Sequence, residues 1–411
     1  MTKIVHVQYS MESAGKSALK LHNTFMEAGM ESTILSLYSG INGNEKIKIL
    51  GKKSKYISII DDKIQKFLTR KRINEFGLFS FPILGTNISG MDEIKDADII
   101  YLHWILGGFM NIRNIEQLVK LGKPVIFIMH DMWTITGGCH HSFSCDKYIV
   151  GCNNCPMFSS ERQNDLSAKE FKKKLKLFST HDNLYFVSPS RWLYKCAKKS
   201  LLTKSKPIFH IPNIIESKIF KPFNTAIAKQ ILNIDPNETV LAFGATSINS
   251  PYKGWEYLQN ALNKLDSYYS LKNITVLIFG NGYDKKIADA IPFKTKFMGY
   301  LKDNLSTNVV YNAADIFIAP SIADNLPTTI LEALSCGTAV VAFNTGGIPD
   351  MISHKENGYL AKYKDSEDIV NGIKYCLENR LKGYILPEFE TDKILNKHLE
   401  LFDYIRSNSK K

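Results

Sequence analysis

The stretch IFIAPSIADNLPTTILEALSCGTAVVAFNTGGIPDMI, residues 316–352, decides the fold of this chain. It opens with an apolar run that predicts a buried strand, and an acidic loop with Asp324 follows. A helix is predicted to begin near Thr328 and to carry Glu332. The next apolar run, TAVVAF, leads to the tight turn Gly346-Gly347. Strand, loop, helix and strand in this order indicate a parallel sheet that helices cover on both faces.

The same alternation recurs along the chain, which predicts a second sheet. The strand-like runs of the first half are IVHVQYS, ADIIYLHW, PVIFIMHD, LYFVSPS and PIFHIPN. Those of the second half are TVLAFGA, ITVLIFG, DIFIAPS, TAVVAF and GYLA. Short buried strands separated by helices predict an α/β protein with two Rossmann-like domains. The seam is predicted after the strand that ends at Pro212-Asn213, which gives domains of residues 1–215 and 216–388.

Size and charge restrict the class of protein. The chain has 411 residues, 44% of them hydrophobic, which suffices for two packed domains. No apolar run approaches the roughly 20 residues that span a bilayer. The N-terminus enters a strand directly, so we expect a cytoplasmic protein without a signal peptide. The net charge of +12 predicts an anionic partner, and charge alone leaves open nucleic acid, a phosphorylated substrate or a membrane surface.

The basic segment KIKILGKKSKYISIIDDKIQKFLTRKR, residues 46–72, concentrates this charge, with ten Lys and Arg. Its apolar residues fall on one helical face: Ile57, Ile60, Ile64, Phe67 and Leu68. This composition fits a helix that lies on an anionic lipid surface. It fits equally a surface helix that packs its apolar stripe on its own domain. The sequence leaves both interpretations open.

A lysine-containing turn follows the first predicted strand, in HVQYSMESAGKSAL, residues 6–19. A P-loop needs a glycine five positions before the pair Gly15-Lys16, and Ser10 occupies that position. ATPase chemistry is therefore not predicted. The remaining pattern is a turn into a helix, whose first N–H groups can receive an anion.

Four of the seven cysteines share the segment CHHSFSCDKYIVGCNNCP, residues 139–156. They are Cys139, Cys145, Cys152 and Cys155. The final C-x2-C has the spacing of a structural zinc site, and His140 and His141 are alternative ligands. Irregular spacing of the first two thiols fits reduced packing cysteines instead. Both interpretations stay open.

Ligands of open α/β sheets bind outside the carboxyl ends of the strands, so the residues after each apolar run are the candidates. Asp324 and Glu332 have seven residues between them, which places one carboxylate in the loop and one in the helix. Both can face the same cleft. Between them, Leu326 to Thr329 supply N–H groups at a helix N-terminus, a site for phosphate oxygens.

These residues resemble the retaining GT-B glycosyltransferases of family 4, which use nucleotide-sugar donors. The hallmark of that family is two acidic residues with seven between them, here DNLPTTILE followed by ALSCGTAVV. KGWEYL, FGNGYDKKI, FMGYLKDNL and NAADIFIAPS extend the resemblance over the second half. In the first half, YLHWILGGFMNI and FIMHDMWTITGGCHHS resemble the branch that builds bacterial exopolysaccharides and capsules, including colanic-acid-type enzymes.

The resemblance implies two domains that face each other across a cleft, with the donor on the second domain and the acceptor on the first. Residues 389–411 would form a helix that crosses back to the first domain. Glu332 would bind the donor ribose hydroxyls and Asp324, one methylene shorter than the usual glutamate, the donor sugar. Lys253 would bind the diphosphate. The stretch FGATSINS lacks the arginine of many members, so Lys253 and helix N–H groups would stabilise the leaving group.

The resemblance also implies the remaining site residues. The catalytic set would be His130, which would contact the donor sugar, with Asp324 and Lys253. Further donor contacts would come from Asn325, Leu326, Thr328, Thr329, Gly280 and Tyr300. The acceptor and phosphate side would hold Gly15, Lys16, His103 and Asp131, and Asp131 would orient His130 or bind the acceptor.

The expected activity is transfer of a sugar from a UDP- or GDP-sugar to a glycan or polyprenyl-diphosphate-linked acceptor in cell-surface polysaccharide synthesis. No cofactor is expected in catalysis, and the expected location is the cytoplasm or the inner face of the cytoplasmic membrane, an anionic surface. One rival is a sugar-nucleotide 2-epimerase on the same fold. Another is a non-catalytic nucleic-acid-binding protein, suggested by the charge and the cysteines, although the resemblance predicts no nucleic acid.

Overall fold

The computed structural model describes residues 1–11, 15–38, 45–70, 73, 77–158, 164–248, 250–268, 273–281 and 289–408. The chain divides into two compact units. The first unit comprises Met1–Ile214 and Thr391–Lys411, and the second unit comprises Ile215–Glu390.

Each unit is built on one parallel sheet. In the first unit the strands are β1 (Lys3–Ser10), β2 (Glu31–Tyr38), β3 (Ile47–Ile49), β4 (Ile99–Leu102), β5 (Val125–Ile128), β6 (Leu184–Ser188) and β7 (Ile208–His210). In the second unit they are β8 (Thr239–Ser247), β9 (Ile274–Asn281), β10 (Lys294–Phe297), β11 (Ile316–Ala319), β12 (Ala339–Phe343) and β13 (Gly358–Ala361). The strand orders are β3-β2-β1-β4-β5-β6-β7 and β10-β9-β8-β11-β12-β13.

Helices connect the strands, as a parallel sheet requires. They are α1 (Gly15–Glu27), α2 (Lys52–Leu68), α3 (Asp92–Asp96), α4 (Ile112–Val119), α5 (Leu166–Thr180), α6 (Arg191–Lys199), α7 (Thr225–Ile231), α8 (Trp255–Tyr268), α9 (Asn304–Ala313), α10 (Thr328–Ser335), α11 (Ser366–Glu378) and α12 (Thr391–Asn408). Within the described ranges, none of the helices is both long and apolar enough to cross a membrane.

Alternate residues of each first-unit strand bury opposite faces of the sheet. In β4, Ile100 and Leu102 pack into one hydrophobic cluster, and Ile99 and Tyr101 pack into another on the opposite face. The second cluster also receives apolar residues of α12: Ile394, Leu401, Phe402 and Ile405. Burial of this stripe explains why the last helix belongs to the first unit.

The second unit repeats this two-sided packing. In β11, Phe317 contributes to one cluster, and Ile316 and Ile318 contribute to the other. All four residues of β11 are buried, which is the pattern of a strand covered on both faces.

The ten apolar runs each contain a strand, so these predictions are confirmed. Strands β2, β3 and β10 were not predicted. In β2, ESTILSLY, serines interrupt the apolar run, and two lysines interrupt it in β10, KTKF. Strand β10 is an edge strand, which tolerates such residues because one side of it has no strand partner, whereas β2 pairs with both β1 and β3.

Candidate functional site

In the second unit, the loop that follows β8 and the loop that follows β11 meet through a glycine. Gly254 has a φ of +70°, in the left-handed region, and a Cβ there would lie 1.9 Å from the carbonyl oxygen of Pro320. Only glycine permits this approach without displacement of the backbone. The Ile322 amide also donates to the Tyr252 carbonyl at 2.9 Å. The turn before α8 is thereby fixed against the acidic loop.

This contact brings Lys253 and Asp324 together. The Lys253 ammonium donates to Oδ2 of Asp324 at 2.6 Å, and the two side chains are 23% and 17% exposed. Burial lowers the pKa of Lys253, but the neighbouring carboxylate outweighs burial and raises it. The lysine is therefore a cation held at the carboxyl edge of the sheet. The sequence predicted both residues and did not predict that they bind each other.

A second glycine packs on the other side of Asp324. Gly346 has a φ of +56°, and a Cβ would lie 2.0 Å from the Asp324 carbonyl oxygen. The Gly347 amide donates to that same oxygen at 3.3 Å. The loops after β8, β11 and β12 therefore form one packed edge, with the ion pair on it.

Glu332 lies in α10, which begins at Thr328 as predicted. Its side chain is buried, and its Oε2 accepts a hydrogen bond from the Tyr311 hydroxyl at 3.3 Å. Burial, with the adjacent Glu332, raises the pKa of the Tyr311 phenol, so the phenol stays a donor. Tyr311 lies in α9 and was not predicted. A tyrosine at helical spacing gives no sequence signal that separates it from the core.

The other predicted donor residues occupy the same edge in different ways. Asn325 and Leu326 are buried, and Leu326 packs in the core, which leaves only its backbone for a ligand. Thr328 and Thr329 are half-buried in the first turn of α10. The Gly280 amide donates to the Gly299 carbonyl at 2.8 Å, which places the end of β9 beside half-buried Tyr300.

In the first unit, three histidines form a hydrogen-bonded chain. His6 Nδ1 lies 3.0 Å from His103 Nε2, and His103 Nδ1 lies 3.2 Å from His130 Nε2. The three residues lie in β1, just after β4 and just after β5, which are adjacent strands of the sheet. His6 and His103 are buried, and His130 is half-buried. The sequence predicted His103 and His130 and missed His6, because an inward-facing residue of a strand resembles core.

Burial lowers the pKa of all three imidazoles. That of His130 falls to about 4, and Asp131 offsets part of the shift. His103 is lowered well below its usual value by burial and by the neighbouring histidines. At neutral pH the chain is therefore uncharged, so in each of its two hydrogen bonds one ring nitrogen donates and the other accepts. A cavity of about 20 Å³ adjoins it, lined by His103, His130, His398 and Ser17 among others.

Asp131 bonds within its own loop. Its Oδ1 accepts from the Trp133 amide at 2.8 Å, and its Oδ2 lies 2.6 Å from His140 Nδ1. His140 Nε2 in turn lies 2.8 Å from the Ser80 hydroxyl. Burial raises the pKa of Asp131, but His140 and the Trp133 amide outweigh it and lower the pKa. Asp131 is thus hydrogen-bonded to His140 and also raises the pKa of His130, and its predicted role, to orient His130 or to bind the acceptor, stays a prediction.

Gly15 is the first residue of α1, and Lys16 is half-buried beside it. The three residues before Gly15, 12–14, lie outside the described part of the chain. Of the predicted acceptor and phosphate turn, the structure therefore describes only the part from Gly15 onward, where α1 begins.

The four cysteines of the segment are close enough to affect one another electrostatically: Cys145, Cys152 and Cys155 each raise the pKa of the Cys139 thiol, in addition to the larger effect of burial. Among the described residues, which include all four of these cysteines, no three His, Cys, Asp or Glu side chains form a group that could hold a metal ion. Burial raises the pKa of Cys152 to about 12 and that of Cys155 to about 11, and Cys152 accepts a hydrogen bond from the Gly137 amide. The structural zinc site and the reduced packing cysteines therefore both stay predictions for this segment.

Residues 237–379 match the family model described as glycosyl transferases group 1. The second unit carries a group 1 glycosyltransferase domain. Lys253, Asp324 and Glu332 all lie inside the matched range.

Curated relatives extend beyond this glycosyltransferase domain. An uncharacterized glycosyltransferase of Methanocaldococcus jannaschii is 27% identical over 74% of this chain and 80% of its own length. A lipopolysaccharide 1,2-N-acetylglucosaminetransferase of Salmonella typhimurium is 24% identical over 58% of this chain and 66% of its own length. A Campylobacter jejuni N,N'-diacetylbacillosaminyl-diphospho-undecaprenol alpha-1,3-N-acetylgalactosaminyltransferase is 25% identical over 43% of this chain. That match spans 47% of the Campylobacter enzyme. A Haemophilus influenzae glycosyltransferase is also similar, over 44% of its own length, so the chain spans less than half of both of these relatives.

Solved structures share the fold along the whole chain. A glycosyltransferase from Rickettsia africae has a TM-score of 0.65 at 15% identity and covers 99% of both chains. Anabaena HepE in complex with UDP and glucose has a TM-score of 0.61 at 14% identity and covers 99% of this chain and 100% of its own. The architecture of two Rossmann-like halves with parallel sheets, GT-B, is therefore confirmed.

Proposed function

We propose that this chain is a retaining glycosyltransferase that moves a sugar from a UDP- or GDP-sugar to a glycan or lipid-linked acceptor. The observation that carries the proposal is the Lys253–Asp324 pair, 2.6 Å long, on the carboxyl edge of a group 1 glycosyltransferase domain. A nucleotide diphosphate is an anion that leaves during transfer, and a half-buried, fixed cation stabilises that developing charge.

Each donor residue takes a role that its surroundings support. Lys253 binds the diphosphate, and Asp324, released from the ammonium when the phosphates arrive, accepts from hydroxyls of the donor sugar. Glu332 accepts from the ribose hydroxyls, and the Tyr311 hydroxyl holds one of its carboxylate oxygens in place. N–H groups between Asn325 and Thr329 bind phosphate oxygens at the start of α10.

The proposed reaction is a same-face displacement at C1 of the donor sugar. The bond from C1 to the diphosphate oxygen breaks, and the acceptor hydroxyl oxygen forms the new bond on the same face. The acceptor proton passes to the leaving phosphate oxygen. His130 is uncharged at neutral pH, so it positions the sugar through a hydrogen bond and does not act as a cation.

The acceptor is proposed to belong to cell-surface polysaccharide synthesis. The Salmonella relative acts on lipopolysaccharide and the Campylobacter relative on a diphospho-undecaprenol-linked sugar, by their names. A net charge of +12 favours acceptors that carry a diphosphate. Gly15, Lys16, His103 and Asp131 are the proposed acceptor side of the first unit.

The test begins with a thermal-shift screen against UDP-, GDP- and ADP-sugars, because a ligand that binds the folded state raises the unfolding temperature. The donor found is then used in transfer assays with Lys253→Met and Glu332→Ala. We expect Lys253→Met to lower turnover by about 100- to 1000-fold. Glu332→Ala should abolish the thermal shift.

Lys264→Met is the matched control, because Lys264 also forms an ion pair, with Glu367, but on half-exposed side chains of α8 and α11. It should keep activity to within about twofold, as expected for a surface ion pair. Product formed without any acceptor would favour the epimerase, and inversion at C1 in the product would exclude retention. Tight, salt-sensitive nucleic-acid binding without any sugar-nucleotide shift would refute the proposal.

A further inference from the structure

Helix α2 is oriented with its polar side inward. The side chains that it buries are Ser54, Ser58, Asp61 and Gln65. Large apolar side chains of the same helix point to solvent: Tyr56 is 64% exposed, Ile59 45%, Ile60 51%, Phe67 62% and Leu68 53%. In an ordinary surface helix the apolar stripe faces the core. Of the predicted stripe, Ile57 and Ile64 are half-buried, whereas Ile60, Phe67 and Leu68 are exposed, so most of the stripe does not pack on its own domain.

Specific hydrogen bonds fix this orientation. Oδ1 of Asp61 accepts from the amides of Ile83 and Leu84 at 2.8 and 2.7 Å. Oε1 of Gln65 accepts from the Phe81 amide at 3.0 Å. A rotation that brought the apolar stripe inward would break these bonds and leave buried amides without partners.

A second contact brings the helix backbone close to the loop after β4. Ser58 donates its hydroxyl proton to the Gly107 carbonyl. A Cβ on Gly108 would lie 2.6 Å from the Asp61 Cβ, so the helix rests directly on this glycine. The outward direction of Ile60 and Phe67 is therefore built into the fold.

The outward face is also basic. Lys52, Lys53 and Lys63 are exposed, and Lys66 pairs with Asp62 at 2.6 Å. On the helical wheel, Lys63 lies between Ile59 and Tyr56, on the same face as Phe67. Aliphatic and aromatic side chains are thus mixed with ammonium groups, and lysine stems can lie along an apolar surface with their charges in water.

We propose that this outward face of α2, named here the docking face and defined by Tyr56, Ile59, Ile60, Lys63 and Phe67, binds an anionic phospholipid bilayer. The apolar side chains enter the acyl boundary, and the lysines contact the phosphate headgroups. Charge complementarity favours this occupant. An apolar protein surface would bury the central Lys63 without a countercharge. An anionic lipid surface supplies a phosphate group near every lysine of the docking face.

The test is sedimentation with vesicles of phosphatidylcholine and phosphatidylglycerol in a 3:1 ratio, and with phosphatidylcholine alone. The full chain should bind the anionic vesicles, and salt should weaken the binding. Ile60→Ser with Phe67→Ser should weaken it by at least about tenfold, because two apolar side chains no longer enter the lipid. Replacement of Lys52, Lys53 and Lys63 by Gln should weaken it by about fivefold per lysine.

Ile227→Ser with Ile231→Ser is the matched control, since these side chains of α7 are 51% and 57% exposed. That variant should bind vesicles as the parent does. Circular dichroism should show unchanged folding in both pairs, because all four positions are exposed. Binding requires no substrate, so the result is independent of whether the proposed transferase activity is found.

Four outcomes would overturn the proposal. The parent chain could fail to bind anionic vesicles, or the α2 variants could bind as tightly as the parent. Alternatively, the parent could form a dimer without lipid that Ile60→Ser with Phe67→Ser dissociates, which would assign the docking face to a second copy of the chain. Equal binding to both vesicle types would remove the role of the lysines.

Discussion

The two units share one architecture and differ in the chemistry of their sheets. Nine of the ten histidines lie in the first unit, and only His354 lies in the second. The first-unit sheet carries the uncharged chain of His6, His103 and His130, whereas the second-unit sheet carries the charged pair of Lys253 and Asp324. A parallel sheet therefore supplies a common edge, and the residues at that edge decide whether it is neutral or charged.

The largest expected effect concerns the glycine that joins the loops of the second unit. Gly254→Ala should lower the free energy of unfolding by at least about 2 kcal/mol more than the control Gly337→Ala does. It should also lower transferase activity by at least about 100-fold. The added Cβ would lie 1.9 Å from the Pro320 carbonyl oxygen. Relief of this clash requires the turn that carries Lys253 to move. Urea unfolding and donor-dependent transfer measure both effects.

Gly337→Ala is the control for that substitution. Gly337 has a φ of +84°, and its added Cβ would make only ordinary contacts with Pro222, the nearest at 3.5 Å. It should cost only the left-handed backbone strain, about 1 kcal/mol, and leave activity intact. Equal losses for both variants would show that loop contact at Gly254 does not matter.

The next effect is a loss of stability in acid of the first unit, where most of the histidines lie. Burial lowers the pKa of His398 to about 3, and its ring lies 3.0 Å from the Tyr101 hydroxyl. The unfolded state binds a proton near pH 6.5 that the folded state does not, so the stability of the first unit falls as pH falls below about 6.5. Each such histidine contributes a slope of about 1.4 kcal/mol per pH unit.

The double variant Tyr101→Phe with His398→Phe should reduce that slope by the contribution of one histidine, about 1.4 kcal/mol per pH unit. It removes both partners of the Tyr101–His398 hydrogen bond, so neither is left unpaired. A Trp255→Phe background makes the measurement specific, since Trp104, Trp133 and Trp192 all lie in the first unit. Urea unfolding followed by tryptophan fluorescence at about pH 7 and about pH 5 gives the slope. An unchanged slope would assign the acid sensitivity to other groups.

A smaller effect measures the charged pair itself. Lys253→Met and Asp324→Asn should each destabilise the second unit, and the double variant should be less destabilised than their sum by about 1–2 kcal/mol. The coupling arises because each single change leaves a half-buried partner without its bond. Calorimetry of the four proteins completes the cycle. Additive losses would mean that the contact contributes nothing to stability.

Sequence alone predicted the parts of the site and not their contacts. Lys253, Asp324 and Glu332 were found because local motifs place them after apolar runs that become β8 and β11. The Lys253–Asp324 bond joins residues 71 positions apart, and it depends on loop approach at Gly254, which no local pattern encodes.

The same limit explains the missed histidines and helix orientation. His398 meets Tyr101 across 297 positions, so nothing in its own segment marks it. The apolar periodicity of residues 46–72 predicted a helix and the residues of its stripe. Which side faces the protein depends on amides at Phe81, Ile83 and Leu84, which belong to a separate segment.

The smallest expected effect tests whether the Ser80–His140–Asp131 chain of the first unit is mainly structural. Ser80→Ala removes the hydroxyl 2.8 Å from His140 Nε2 and should cost about 1 kcal/mol of unfolding free energy. The hydrogen bond of His140 with Asp131 at 2.6 Å remains, so donor-dependent transfer should change by no more than about twofold. Urea unfolding and initial rates measure the two quantities. A large loss of rate with little loss of stability would instead make the Ser80 hydroxyl part of the acceptor side.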